Sequence, residues 1–217
     1  MLHITPTASA YLENMWKWTA YHDIDDPLST QISVYVARGI LIESTNPTWM
    51  YGTASEHATL YQYEFYQASN VVAGMIQTEN PYYQPNPDPP APFTDFVGTF
   101  DGDPSWAVRI IKSSNITIAG AGLYSWFQKY LETCVNTQNC ELALVQIDNS
   151  YGGIYIWNFV TIGAVSVVAA STEDFYQSIA LANTNAATYP WWSLITLFES
   201  NTAGEVNGND IYVDPSI

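Results

Sequence analysis

The sequence predicts an all-β chain wound as a parallel β-helix, and three observations carry that prediction. Helical periodicity is nearly absent; short β-branched and aromatic runs recur instead, bounded by Gly, Asn, Ser or Pro. Several runs share one opening phrase, a polar turn and then a β-branched strand: Ala68-Ser69-Asn70-Val71-Val72, Ser113-Ser114-Asn115-Ile116-Thr117 and Asn149-Ser150-Tyr151-Gly152-Gly153-Ile154. A stacked coil needs such a turn at each corner, where Asn tolerates the left-handed conformation and forms side-chain ladders. Third, Glu56 and Glu79 stand 23 residues apart in aromatic, amide-rich settings. One coil of a solenoid uses roughly 20–30 residues. Side chains one coil apart share an angular position on strands about 4.8 Å apart. A β-sandwich with similar turns stays open on the pattern alone.

Taken in order, the strands read as 10–19, 32–43, 49–53, 60–65, 71–77, 107–111, 116–119, 143–147, 154–160 and 164–169. The uncharged stretch 152–171 imitates a membrane span, but its β-branched bias and polar interruptions at Asn158, Thr161 and Ser166 favour two buried strands joined at Gly163. Between the fifth and sixth strands, residues 80–92 hold six of the 12 prolines. Such a run is excluded from a sheet interior and reads as an extended, stiff loop lining one side of the groove at Glu79. Beyond residue 171 the pattern fades, so 1–170 forms the β-helical body and 171–217 a cap or irregular segment. The apolar patch 189–198 closes the final coil or adds a strand.

Composition narrows the function. Net charge is −16 from 21 acidic and only five basic residues, yet 47% of the 217 residues are hydrophobic and 15% aromatic, unlike a disordered acidic tail. Lys17, Arg38, Arg109, Lys112 and Lys129 are scattered, which excludes nucleic acid and disfavours a polyanionic substrate. A neutral polymer remains. No basic and apolar leader opens the chain, and neither nucleotide loops nor a nucleophile elbow occur; Gly120-Ala121-Gly122 reads as a turn. No cofactor and no metal is expected. Cys134 and Cys140 flank a short polar loop, the natural place for a local disulfide, and Asn115 heads the one glycosylation sequon free of proline.

Two stacked carboxyls split each other's proton affinity and support general acid chemistry. Trp16 and Trp18, two positions apart, put both indoles on one strand face. His22 and Asp23 follow directly, and aromatic faces beside fixed carboxylates and amides suit a pyranose ring. Core packing is the competing reading for either Trp, and a solvated acidic turn for Asp23, Asp25 and Asp26.

The motifs Leu12-Glu13-Asn14-Met15-Trp16-Lys17-Trp18-Thr19-Ala20-Tyr21-His22-Asp23, Tyr51-Gly52-Thr53-Ala54-Ser55-Glu56-His57 and Gln77-Thr78-Glu79-Asn80-Pro81-Tyr82-Tyr83-Gln84-Pro85 resemble the C-terminal part of the fungal exo-β-1,3-glucanases of glycoside hydrolase family 55. That resemblance implies a right-handed, pectin-lyase-like β-helix, the second half of a rib-cage of two. It implies extracellular, inverting release of glucose from the non-reducing ends of β-1,3-glucan. By motif position Glu79 is the general acid and Glu56 the carboxylate that helps hold the attacking water. Tyr82 is an aromatic wall, with Gln77 and Tyr83 beside the sugar. Family chains are several times longer, and their N-terminal β-helix has no counterpart here. The lone chain is therefore expected to self-associate and to release no glucose. A pectin-degrading β-helix fits poorly with five basic residues; a non-catalytic glucan-binding β-helix is the alternative of a different class.

Overall fold

The computed structural model describes residues 1–93, 105–150, 152–170, 180–182, 192–200 and 211–212. Its strands are β1 (Leu2–Ile4), β2 (Ala10–Glu13), β3 (Trp16–Trp18), β4 (Arg38–Ile42), β5 (Thr48–Tyr51), β6 (Ala54–Glu56), β7 (Tyr61–Tyr66) and β8 (Ser69–Glu79). They continue with β9 (Trp106–Ile111), β10 (Ser114–Tyr124), β11 (Glu141–Asp148), β12 (Ile154–Ile162), β13 (Ala164–Ala170), β14 (Ala180–Ala182), β15 (Trp192–Ser200) and β16 (Ile211–Tyr212).

One sheet has the order β1-β4-β7-β9-β11-β13-β14, the other β16-β15-β12-β10-β8-β5-β2, with β3 and β6 alongside β8. Every pairing among β1 to β13 is parallel, which a sandwich of antiparallel sheets does not allow. From β4 to β13 the chain passes from one sheet to the other and back, so parallel neighbours in a sheet are always separated by a visit to its partner. Only β14, β15 and β16 run antiparallel.

Register gives the winding its period. Ile40 pairs with Tyr63, Ala54 with Gln77 and Ala143 with Ser166, each 23 residues on. Ala10 pairs with Thr48 and Ile116 with Ile154, 38 on, and Val71 with Ile116, 45 on. The extra residues all leave from one place, the ends of β3, β8 and β10. The described parts of these three connections pack on one another: Tyr82 Oη accepts from Val34 N (3.1 Å), Tyr130 N donates to the Tyr82 carbonyl (2.7 Å), and Ser33 Oγ meets Tyr130 Oη (2.6 Å).

Between the sheets, like residues stack in columns. Val71, Ile116 and Ile154 form one, Met50, Ala73, Ile118 and Ile156 another, and Ile40, Tyr63, Val108 and Val145 a third; all are buried. At the corners Asn70 (φ 60°) and Asn115 (φ 50°) take the left-handed conformation, and Asn115 Nδ2 donates to Asn70 Oδ1 at 2.6 Å, the ladder that the recurring phrase predicts. Gly163 (φ 79°) turns β12 into β13; a Cβ there would lie 1.7 Å from the Ser125 carbonyl oxygen. One buried polar row crosses the other sheet, where Arg109 donates to Glu64 Oε1 and to Gln146 Oε1, both at 2.6 Å.

Several expectations need correction. The single strand 10–19 is two, β2 and β3, broken where Asn14 adopts φ 51°. Residues 32–37 carry no strand and only β4 follows. Gly120-Ala121-Gly122 lies inside β10 rather than in a turn. The proline-rich run is a succession of tight turns, closed by Asn86 N to Tyr83 O and Ala91 N to Asp88 O, because buried Tyr82 and Tyr83 fold it back on the body. Residues 192–198 of the late apolar patch belong to β15, paired with β12; residues 189–191 and most of 171–217 lie outside the described residues. No helix among the described residues is long and apolar enough to cross a membrane.

Candidate active site

Past the bend at Asn14, Gly52 and Met75, the second sheet presents two side-chain columns to solvent. Trp16, Ala54, Gln77 and Gly122 form one; Trp18, Glu56, Glu79 and Tyr124 form the other. Trp16, Trp18, Ala54, Glu56, Gln77 and Glu79 of these columns line an open cleft of about 780 Å³, with Tyr21, His22 and Ile24 on its rim. That volume falls in the range of small-molecule sites. The cleft sits where the three long connections leave the sheet, the usual home of function on a rigid scaffold.

Parallel register sets Glu56 directly beside Glu79. A carboxylate oxygen from each and a His57 ring nitrogen all lie within 4.8 Å of one another. Glu56 is the more enclosed: Gln77 Nε2 donates to its Oε1 at 2.8 Å, and the Trp16 indole N–H also reaches it. Burial, then the neighbouring Glu79 charge, raises the Glu56 pKa above the ordinary carboxylate value. Lys17, between the two tryptophans on β3, is pushed down to about 8 by burial, against the pull of Glu56. Glu79 keeps 22% of its side chain exposed and faces the cleft.

His57, next to Glu56, carries no signal of a role in the sequence pattern. It is fully buried, its Nδ1 is 2.9 Å from the Thr19 carbonyl and its Nε2 3.3 Å from Glu79 Oε2. Tyr21 and Tyr82 meet its ring edge-on, at 5.1 and 5.3 Å between centroids. Its φ of 64° is the reason the sequence hides it: a residue next to Glu56 should point to the opposite face, and the left-handed backbone returns it to the same one. Glu56, His57 and Glu79 are also the one group among the described residues with the donors to hold a cation. The aligned Nε2–Oε2 contact marks the arrangement as a hydrogen-bonded one.

The remaining candidates divide. Trp16 and Trp18 stack at 5.1 Å with 26° between planes, and Trp16 is 58% exposed, leaving an indole open to a ligand. His22 packs on Trp18 and Tyr21 at the rim. Asp23 does not line the cleft; its Oδ1 accepts the Asp25 N–H at 3.0 Å in a surface turn. Tyr82 and Tyr83 are fully buried. The Tyr82 hydroxyl donates to the Ala20 carbonyl and that of Tyr83 meets Thr59 Oγ1, so both brace the site from behind rather than wall it. Asn115 is exposed near the start of β10, at the far end of that strand from Tyr124, and Cys134 and Cys140 are disulfide-bonded within the connection that follows β10.

An aromatic-floored cleft with paired carboxyls, and no Lys or Arg lining it among the described residues, has the chemistry to stack a polyhydroxylated ring and hold a proton beside it. The chain is 42% identical over 199 residues to a protein of Arthroderma benhamiae named probable glucan endo-1,3-beta-glucosidase, covering 83% of this chain and 23% of that one. It is 36% identical to a glucan 1,3-beta-glucosidase of Cochliobolus carbonum, covering 80% and 23%. It is 42% identical to a protein of Penicillium expansum named non-secreted LysM effector LysM15, covering 85% and 13%. The chain thus spans about a quarter or less of the length of these relatives. No family model matches it. These similarities relate the chain to glucan 1,3-β-glucosidases.

Proposed function

We propose that this chain is a right-handed parallel β-helix from a family 55-type glycoside hydrolase, and that its cleft belongs to an enzyme releasing glucose from the non-reducing ends of β-1,3-glucan. The observation that carries the reading is the in-register Glu56–Glu79 pair beside an open tryptophan stack. Strand alternation between two parallel sheets supports the winding, and a right-handed crossover is the rule for parallel strands. The antiparallel β14 and β15 support a body over 1–170 closed by a cap over 171–217. The disulfide suits an oxidising, extracellular setting.

In this reading Glu79, the more open carboxyl, protonates the glycosidic oxygen as the C–O bond breaks and its electron pair leaves with the departing glucan. Water adds to the anomeric carbon from the far side and gives one proton to a base there, which this wall does not supply. Glu56 sits too close to Glu79 to straddle a sugar and that water, a task that takes roughly 6.5–9.5 Å between carboxyls. Both acids project from a single wall. Inversion by resemblance therefore assigns Glu56 to the hydrogen-bond network that helps orient the water, with the far side supplied by groups beyond this wall.

The test is laminarin hydrolysis and laminarin binding, measured on the purified chain and on the Cochliobolus carbonum protein with its matching segment replaced by this chain. The graft should release glucose, first as the α-anomer by NMR, and the chain alone should bind without turnover. Binding by both with turnover by neither favours a non-catalytic glucan-binding role, the reading to which the LysM effector similarity lends weight. Absence of both sinks the proposal.

A further inference from the structure

We propose that His57 is the proton-positioning partner of Glu79, sharing one hydrogen with it through Nε2 while its Nδ1 hydrogen is committed to the Thr19 carbonyl. The carbonyl oxygen only accepts, so the 2.9 Å contact fixes the hydrogen on Nδ1. Neutral imidazole then has a bare Nε2. That lone pair faces Glu79 Oε2 at 3.3 Å, and two lone pairs hold such a contact only with a hydrogen between them. The pair therefore carries one proton, either as carboxylic acid donating to imidazole or as imidazolium donating to carboxylate.

The setting is built to preserve this. His57 has no solvent exposure, and the edge-on rings of Tyr21 and Tyr82 stop it from turning. A non-glycine residue at φ 64° sits in strained backbone and is kept only where surrounding structure demands it. The titratable groups that face it are Glu79 from β8 and Glu56 from β6, with Lys17 of β3 beyond Glu56; Tyr21 and Tyr82 offer ring edges. With Oε2 held by His57, Oε1 is the oxygen left for a ligand. Resting on the glycosidase reading, His57 would steady the Glu79 carboxylate that remains once the proton has gone to the leaving group.

The test needs no turnover. The chain has three histidines, His3, His22 and His57, so ¹⁵N-histidine NMR is readily assigned. At one fixed pH, His57 Nδ1 should read as protonated and Nε2 as intermediate between bare and protonated. Glu79→Gln should move Nε2 to the bare value and leave Nδ1 unchanged. A hydrogen on Nε2 with bare Nδ1, or an Nε2 signal indifferent to Glu79→Gln, overturns the inference. In a glucan-cleaving protein bearing this site, His57→Gln should cut laminarin turnover at least about tenfold while sparing an aryl β-glucoside whose leaving group needs no proton. Equal loss on both substrates makes His57 merely structural. Absence of any wild-type turnover defeats the glycosidase reading, and the NMR result still decides the His57–Glu79 pair.

Discussion

Glu141 offers a sharp test of the buried electrostatics. Its side chain starts β11 inside the fold, where Asn80 Nδ2 donates to Oε1 at 3.4 Å and the Ser105 N–H donates to the same carboxyl. Burial outweighs these bonds and pushes its pKa from 4.5 up to about 8. A carboxyl that holds its proton more tightly when folded contributes stability that is complete below pH 4.5 and is lost as pH rises through about 8. At roughly 1.4 kcal/mol per unit, the loss approaches about 5 kcal/mol by pH 9. Glu141→Gln removes the ionisation. It keeps a carbonyl for Asn80 but loses one acceptor, at a cost of about 1 kcal/mol. Thermal melts of both proteins from pH 4 to pH 9 should therefore cross. The variant should melt slightly lower at pH 4 and higher at pH 8–9, by about 10 °C if 1 kcal/mol moves the midpoint by roughly 2–4 °C. Parallel melting curves across that range refute the argument.

Three further outcomes are expected. Glu79→Gln in the glucan-cleaving graft should lower kcat on laminarin by about 10²–10⁴ with less effect on aryl glucosides, and turnover within a few-fold of wild type would make Glu79 structural. Tyr82→Phe strands the Val34 N–H and the Ala20 carbonyl, so urea unfolding should show a loss of about 1–3 kcal/mol while laminarin binding holds; weakened binding at unchanged stability would return Tyr82 to the cleft wall. Arg109→Met leaves Glu64 buried without its 2.6 Å partner and should cost about 3–5 kcal/mol, whereas Arg109→Met with Glu64→Leu should recover most of it.

The legible parts of the fold were those where local chemistry and winding agree. Asn70, Asn115 and Asn149 announce corners because a left-handed backbone favours Asn, and the runs after Asn70 and Asn115 are β-branched because they pack on both neighbours. The 23-residue interval was readable because the coil from β6 to β8 has no insertion. Elsewhere intervals of 38 and 45 hide the same period behind the long connections. β6 was missed because Ala54-Ser55-Glu56 has no strand-forming residue; pairing to β3 on one side and β8 on the other makes it a strand. His57 and the inward turn of Tyr82 depend on backbone angles and on connections meeting from distant sequence, which no spacing rule contains.

The same geometry explains why acids gather here. In parallel sheets with matched register, a residue type repeated at the coil interval must stack on its own kind, and like charges then meet about 4.8 Å apart. For most of the body that rule is harmless, since the repeated positions are aliphatic. At the cleft it sets Glu56 against Glu79. Burial, and then the Glu79 charge beside it, raise the Glu56 pKa. A fold that forces two acids together in a half-dry cleft thus produces, without any special residue, a Glu56 that holds its proton more tightly than a free carboxylic acid. In the proposed glycosidase reading the tryptophan stack beside the pair would receive the sugar, so the winding itself, more than any single side chain, would suit this face to acid-assisted cleavage.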